Sequence, residues 1–219
     1  MTQAEIFAHF ERHEGVIDHM YLDTVGKVTI GIGFMMPDAA AALDYKLINR
    51  KTGAPATAAE IAADWSKVHE QQKGRIASTY RKFTKLDLPE AETRKLLKER
   101  LDGFAAILRT RFAGFDAFPA PARLALLDMI FNLGPTGLTK GFPKLCRAAD
   151  RGDWKVCAAE CNRLGIHVSR NDETRDLFLA AAAASTPAPA PPPLSLSAAT
   201  AAPRKASAKR GRARAAAAH

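Results

Sequence analysis

The sequence predicts an α+β fold that is mainly helical, with a small β-hairpin near its N-terminus. Two observations predict the helices: a pair of capping boxes, Thr2-Gln-Ala-Glu5 and Thr57-Ala-Ala-Glu60, and a long apolar repeat that follows Pro89. A third observation predicts the hairpin, because apolar residues alternate with threonine and glycine over residues 27–34. The chain of 219 residues is long enough to bury a proper core.

The N-terminal elements follow directly from these signals. The first helix is expected to begin after Thr2 and to stop at Gly15, so that Glu14 lies in its last turn. Two strands follow, at about 18–22 and 27–34, and the alternation in the second one predicts a single buried face.

The remaining helices are predicted from apolar periodicity together with proline at their starts and glycine at their ends. The second capping box begins a helix that runs to about Gln72, and Pro89 opens the longest one. A third apolar helix runs from about Pro121 to Leu133 and ends at Gly134. Shorter helices are expected at about 142–150, 153–164 and 171–184.

Composition divides the chain into a folded domain, residues 1–184, and a tail, residues 185–219. The tail is rich in Pro, Ala and Ser and too poor in large apolar groups to bury a core, so it is predicted to be disordered. It holds six Lys/Arg and no acid; of the net charge of +9, 9 − 6 leaves +3 for the domain. Clustered cations favour anionic envelope polymers or nucleic acid as partners, and a solvated tail without a partner is the alternative.

Targeting signals are not recognisable in the sequence. No apolar run is long enough to cross a bilayer, and the N-terminus lacks the pattern of a signal peptide. We therefore expect synthesis in the cytoplasm, and passage to the periplasm or the exterior only after lysis or by dedicated delivery. We also expect a monomer.

Three cysteines do not make a disulfide framework. Cys157 and Cys161 are four residues apart on one face of a predicted helix, a spacing that suggests a metal site. No His or Cys pair at zinc spacing completes it, so we expect buried structural thiols and no metal ligands.

Two acids, Glu14 and Asp23, are candidates for the hydrolysis of a glycosidic bond. That reaction takes an acid that protonates the leaving oxygen and a second carboxylate that activates water. Glu14 faces the negative end of a helix dipole, which disfavours its ionised form, whereas Asp23, in a solvated hairpin turn, is expected to stay ionised. The hydroxyl of Thr29 is suited to position water beside Asp23. Gly31 and Gly33 leave room for a sugar ring against the strand.

Three segments together resemble the active-site region of phage-type lysozymes, glycoside hydrolase family 24: HEG at 13–15, YLDTVG at 21–26 and TIGIG at 29–33. The resemblance continues through 88–104 and 125–145 and covers most of residues 1–180. It implies a two-lobed lysozyme-like domain, with a small N-terminal β-hairpin lobe and a long helix between the lobes.

The resemblance also implies an activity. The family cleaves the β-1,4 bond between N-acetylmuramic acid and N-acetylglucosamine in peptidoglycan, without metal or cofactor. By resemblance Glu14 is the general acid, Asp23 the second carboxylate and Thr29 its water-positioning partner. Phe34 departs from the pattern, because the family often has His after the TIGIG segment, and any ion pair made by that His is lost.

Several residues leave alternatives open. Asp18 competes with Asp23 as the second carboxylate, although its spacing fits the family less well. Arg170 and Arg175 either contact substrate in the cleft or merely cover their helix. Asn132 is either a residue that closes the third helix or a substrate contact near the cleft.

Three functions are compatible with these features. An inverting muramidase is expected. A lytic transglycosylase needs the acid but no carboxylate that activates water, so Asp23 and Thr29 argue against it. A protein that binds envelope or nucleic acid through its basic tail is the third, and it would leave the two acids without a purpose.

Overall fold

The structure, a computed structural model, describes residues 2–185. Helices take 62% of it and strands 9%, which confirms a mainly helical α+β fold with small antiparallel sheets. Apart from Ser185, which ends the last helix, the predicted tail lies outside the described residues. In the part that is described, no helix has both the length and the apolar character needed to cross a membrane.

Residues 2–185 contain seven α-helices and five short strands, joined by loops and short 3₁₀ turns. The helices are α1 (Gln3–Glu14), α2 (Ala58–His69), α3 (Glu90–Arg111), α4 (Ala120–Gly141), α5 (Pro143–Asp150), α6 (Trp154–Glu160) and α7 (Val168–Ser185). The strands are β1 (Ile17–Leu22), β2 (Val28–Gly31), β3 (Phe34–Met35), β4 (Ile48–Asn49) and β5 (Leu86–Asp87). Strands β1, β2 and β3 form one antiparallel sheet in that order, and β4 pairs with β5 in a second one.

Both capping boxes are confirmed. The Thr2 hydroxyl accepts from the Glu5 backbone N–H at 3.3 Å, while the Glu5 carboxylate accepts from the Thr2 N–H at 2.7 Å. Thr57 and Glu60 make the same reciprocal pair at 3.3 and 2.8 Å. Each pair satisfies N–H groups that a helix start leaves open, which is why these two starts were predictable from four residues.

The prediction of one strand over residues 27–34 was wrong, because a tight turn divides it into β2 and β3. Gly31 and Gly33 flank this turn with φ of +64° and +70°, values that favour glycine. The single buried face was also wrong: Thr29 is as buried as its neighbours Val28 and Ile30. Strand β2 lies between β1 and β3, and α2 also contacts it.

The third predicted helix ends at Gly134, as expected, where φ of 69° and ψ of 170° interrupt α4. Pro135 then begins a further helical stretch up to Gly141, which the sequence reading missed. The last helix begins at Val168, three residues before its predicted start.

The helical core is built from α3, α4 and the C-terminal helices. Leu97 and Leu108 of α3 and Met129 of α4 are fully buried, and so is Phe178 of α7. Helix α7 packs against α4 and α6. Its N-terminal half also contacts α1, and this contact positions the candidate site.

Candidate active site

Glu14 is the last residue of α1, where the predicted stop places it. Gly15, with φ of 67°, ends the helix and donates its N–H to the Glu11 carbonyl at 3.2 Å. The Glu14 side chain is 23% exposed, and its Oε1 lies 2.7 Å from Nη2 of Arg170. This contact is an ion pair without hydrogen-bond geometry, so Oε1 is a buried acceptor that makes no hydrogen bond within residues 2–185.

Arg170 connects Glu14 to a buried ionic cluster around Asp128 of α4. The Nε and Nη2 of Arg170 donate to Asp128 Oδ1 at 3.0 and 2.8 Å. His9, Arg163 and Thr174 also contact this carboxylate, at 3.2, 2.8 and 3.0 Å. Burial alone would raise the pKa of Asp128, but the hydrogen bonds from His9 and Arg170 outweigh it and hold that pKa well below its usual range. The cluster therefore fixes the guanidinium that contacts Glu14.

Asp23 stabilises the turn between β1 and β2. Its Oδ1 accepts the backbone N–H groups of Val25 and Lys27 at 3.0 and 2.8 Å, an arrangement typical of aspartate in turns. Both bonds use the same oxygen, so Oδ2 is left for another partner. A half-exposed carboxylate with one free oxygen is suited to activate water.

Tyr21 lies near the end of β1, in the strand between Glu14 and Asp23. Its phenol is half-buried, and burial raises its pKa, with the negative charges of Asp23 and Glu14 raising it further. Sequence reasoning missed Tyr21; its place near the end of β1, two residues before Asp23, was the available signal.

Thr29 lies directly opposite Tyr21 in the β1–β2 register, so the two side chains share one face of the sheet. Only 3% of Thr29 is exposed, and its hydroxyl donates to the Lys27 carbonyl at 3.1 Å. The hydroxyl is thus directed toward the turn that carries Asp23. Any water that it positions must donate to its lone pairs.

The two glycines of the β2–β3 turn have structural reasons of their own. A Cβ on Gly31 would lie 2.8 Å from Cδ2 of Phe34, whereas one on Gly33 would meet no atom within 4 Å. Their predicted role in binding sugar therefore stays a prediction. Arg100 of α3 donates to the carbonyls of Ile32 and Gly33, at 3.2 Å each, and holds this turn.

Phe34, the departure from the family pattern, packs under Arg100. The guanidinium carbon lies 4.2 Å from the centre of the ring, a cation–π distance. Burial lowers the pKa of Arg100, while the charges of Tyr45 and Glu14 raise it. Two guanidinium groups, Arg170 in contact and Arg100 farther off, therefore act on Glu14, and the sequence argument had considered only the helix dipole.

The open alternatives are placed as follows. The carboxylate of Asp18 is already engaged, because its Oδ1 contacts Nδ1 of His19 and accepts from Nη1 of Arg81. Arg175 is half-exposed and binds two acids of its own helix, Asp172 and Asp176, which favours the interpretation that it covers α7.

Arg170, in contrast, contacts the Glu14 carboxylate. Asn132 lies half-buried in the last turn of α4 before Gly134, and its role in binding stays a prediction.

The three cysteines are free and buried, which confirms the prediction of buried thiols. Burial raises the pKa of each thiol, and that of Cys157 to about 12.

Five of the cavities within residues 2–185 are lined by residues other than Glu14, Asp23 and Thr29. The geometry that supports a site is thus a helix end that carries Glu14, followed directly in the chain by a hairpin whose turn carries Asp23.

Comparison with known proteins adds no family assignment. No protein-family model matches the chain, and no curated protein matches it either. Fold and site define a mainly helical α+β protein that presents two acids beside one β-hairpin.

Proposed function

We propose that this chain is a muramidase, which hydrolyses the β-1,4 bond between N-acetylmuramic acid and N-acetylglucosamine in peptidoglycan. The observation that carries the proposal is the placement of the two acids: Glu14 is the last residue of α1, and Asp23 lies in the turn of the β1–β2 hairpin, which begins three residues later. Glycoside hydrolysis requires two carboxyl groups that flank one bond.

The proposed architecture is two-lobed, as in lysozymes. Helix α3 has 22 residues and is therefore about 33 Å long. The two sheets precede it in the chain, and the helices α4 to α7 follow it. This order supports a β-containing lobe and a helical lobe joined by α3.

In the proposed reaction Glu14 gives its proton to the glycosidic oxygen as the C–O bond breaks, and that oxygen keeps the bonding electrons. A water attacks the anomeric carbon from the opposite face and gives its proton to Asp23, so the configuration inverts. Thr29 accepts a hydrogen bond from this water. Exchange of protons with solvent then restores a protonated Glu14 and an ionised Asp23.

Arg170 and Arg100 have distinct parts in this proposal. Arg170 contacts Glu14 and stabilises the carboxylate that proton transfer leaves behind. Arg100 holds the turn at Gly33 and so fixes the hairpin relative to α3. Of the two, Arg170 is the positively charged group placed where negative charge develops on the acid.

The test is mass analysis of muropeptides after purified full-length protein is incubated with peptidoglycan. Products with reducing ends, each heavier by one water, are expected from hydrolysis. Anhydro-sugars would show a lytic transglycosylase instead, and intact glycan would overturn both enzymatic assignments.

The basic tail, residues 185–219, supports a second candidate function, binding to anionic envelope polymers or nucleic acid. Its six Lys/Arg without any acid are the observation that favours it. Full-length protein and a form that ends at Ala184 are compared for binding to anionic vesicles and to DNA at low and high salt. Binding by the full-length form alone, lost at high salt, is expected; equal binding by both forms at low salt would exclude the tail.

A further inference from the structure

Two histidines of α1 and one glutamate of α7 come together on the side of α1 that faces α7. Within residues 2–185, His9, His13 and Glu173 are the one group of three or more His, Cys, Asp or Glu side chains close enough to share a metal ion. One ligand atom from each lies within 4.8 Å of the others. The group needs neither Glu14 nor Asp23.

The spacing of the histidines suits a metal. His9 and His13 are four residues apart, so they lie one turn apart on one helix face. Two histidines at this spacing, with a glutamate from another element, form a ligand set that binds Zn²⁺ in known enzymes. A metal at this group departs from the expectation of no metal ligands, which was argued from Cys157 and Cys161.

His9 is oriented in advance for this role. Its Nε2 lies 3.2 Å from Oδ1 of Asp128, and a carboxylate only accepts, so Nε2 carries the hydrogen. In neutral His9 the lone pair is then on Nδ1, which lies 3.8 Å from Oε2 of Glu173. A histidine held by a carboxylate through its far nitrogen is the usual arrangement behind a metal ligand.

Glu173 is oriented as well. Its Oε1 accepts from Nη2 of Arg12 at 2.9 Å, which directs Oε2 toward the histidines. Nε2 of His13 is in close contact with this Oε2. Zinc ligands lie about 2.0–2.2 Å from the ion, so the three ligand atoms need to be about 3.3 Å apart. Binding an ion therefore requires side-chain movements: the separations in the group, 3.8 Å between His9 and Glu173 and up to 4.8 Å overall, have to shorten, and the His13–Glu173 contact has to lengthen.

Access to the group is open from one side. His9 and Glu173 line a cavity of about 610 Å³, which Arg12 and Asp176 also line. The His9 side chain is 6% exposed, that of His13 11% and that of Glu173 41%. The cavity gives an ion a path to the buried nitrogens and leaves space for water as a fourth ligand.

We propose that His9 Nδ1, His13 Nε2 and Glu173 Oε2 bind a divalent transition metal of the zinc type, with water as the fourth ligand. Phe10 occupies the place where zinc proteases with this histidine spacing carry their general base, so the ion has no such base for peptide hydrolysis. Its role is to join α1 to α7. Because His13 precedes Glu14, the ion secures the helix turn that ends in the proposed acid.

The first experiment measures Zn²⁺ binding to tag-free, metal-stripped, full-length protein by competition with a chromophoric chelator. One equivalent is expected to bind, and saturating Zn²⁺ is expected to raise the melting temperature by about 5 °C or more. His13→Gln and Glu173→Gln should each weaken binding at least about tenfold. His69→Gln, which alters an exposed histidine stacked on Trp65, is the matched control and should bind as wild type.

A second measurement distinguishes these ligands from the cysteines. Co²⁺ at His and Glu ligands gives visible bands without the strong near-ultraviolet absorption of a thiolate–cobalt bond. Thiolate absorption would overturn the proposal. So would absent binding at millimolar Zn²⁺, or equal affinity in wild type and in folded Glu173→Gln, the variant whose side chain is most exposed.

Discussion

The chemistry of a single side chain is tested most directly at Glu14. An amide keeps the shape of this residue but has no proton to transfer, so Glu14→Gln should lower the rate of peptidoglycan hydrolysis about 10²–10⁴-fold while the protein stays folded. Glu11→Gln is the matched control, because Glu11 lies one turn earlier and pairs with Arg94 at 3.5 Å. Turbidity of a wall suspension and circular dichroism report on both. Wild-type clearing by folded Glu14→Gln would remove Glu14 from its role.

Asp23 and Asp18 form a second pair for comparison. An asparagine Oδ1 still accepts the N–H groups of Val25 and Lys27, so Asp23→Asn should keep the turn but lose nearly all hydrolysis. Asp18→Asn should retain hydrolysis and lose at most about 1 kcal/mol of unfolding free energy, because its partner Arg81 is well exposed. Rate and chemical denaturation are measured for both. The reverse pattern of rates would assign the second carboxylate to Asp18.

At the scale of one element, substitutions in the β2–β3 turn distinguish the cost of a positive φ from the cost of a steric clash. Gly33→Ala should cost about 1 kcal/mol of stability, because its φ of +70° disfavours a side chain that would meet no neighbour. Gly31→Ala should cost more, because its Cβ would also displace Phe34 or Leu88. Urea denaturation of the two variants gives the difference. Equal losses would mean that Phe34 moves aside freely.

Elements whose signals are local were predictable from the sequence, and those that depend on distant partners were not. A capping box spans four residues, and Gly15 and Gly134 end helices through their own φ, so these ends could be predicted. The β4–β5 pair joins segments nearly forty residues apart, and its two-residue strands carry no periodicity. The same contrast between local and long-range signals holds for the candidate site. The places of Glu14 at a helix end and of Asp23 in a hairpin turn were predictable from local signals, whereas the Arg170 contact depends on how α7 packs against α1.

For the whole molecule, the buried ions predict a loss of stability in acid. Asp128 and Glu173 both have pKa values lowered in the folded state, so the unfolded chain takes up protons first. Their contribution is complete above the ordinary carboxyl pKa of about 4 and is lost as the pH falls from there toward the folded values. Thermal midpoints between pH 7 and pH 3 measure it. Equal midpoints across this range would contradict the prediction.

Asp128→Asn locates the source of that dependence. At neutral pH it should cost about 3–5 kcal/mol of unfolding free energy, because Arg163 and Arg170 would lose their buried counter-charge. Glu173→Gln, at a more exposed carboxyl, should cost less and reduce the dependence on pH only in part. An Asp128→Asn protein as stable as wild type would show that the cluster does not hold α4 to α7.

The three buried thiols also give the chain an internal reporter of its own opening motions. A thiolate is the form that alkylating reagents attack, and all three thiols are sealed from solvent with raised pKa values. Cys146 lies in α5, Cys157 in α6 and Cys161 just after it. Iodoacetamide should therefore modify each at a rate set by how often its helix detaches. Peptide mass spectrometry over a time course would then rank the detachment of α5 against that of α6 without an engineered label.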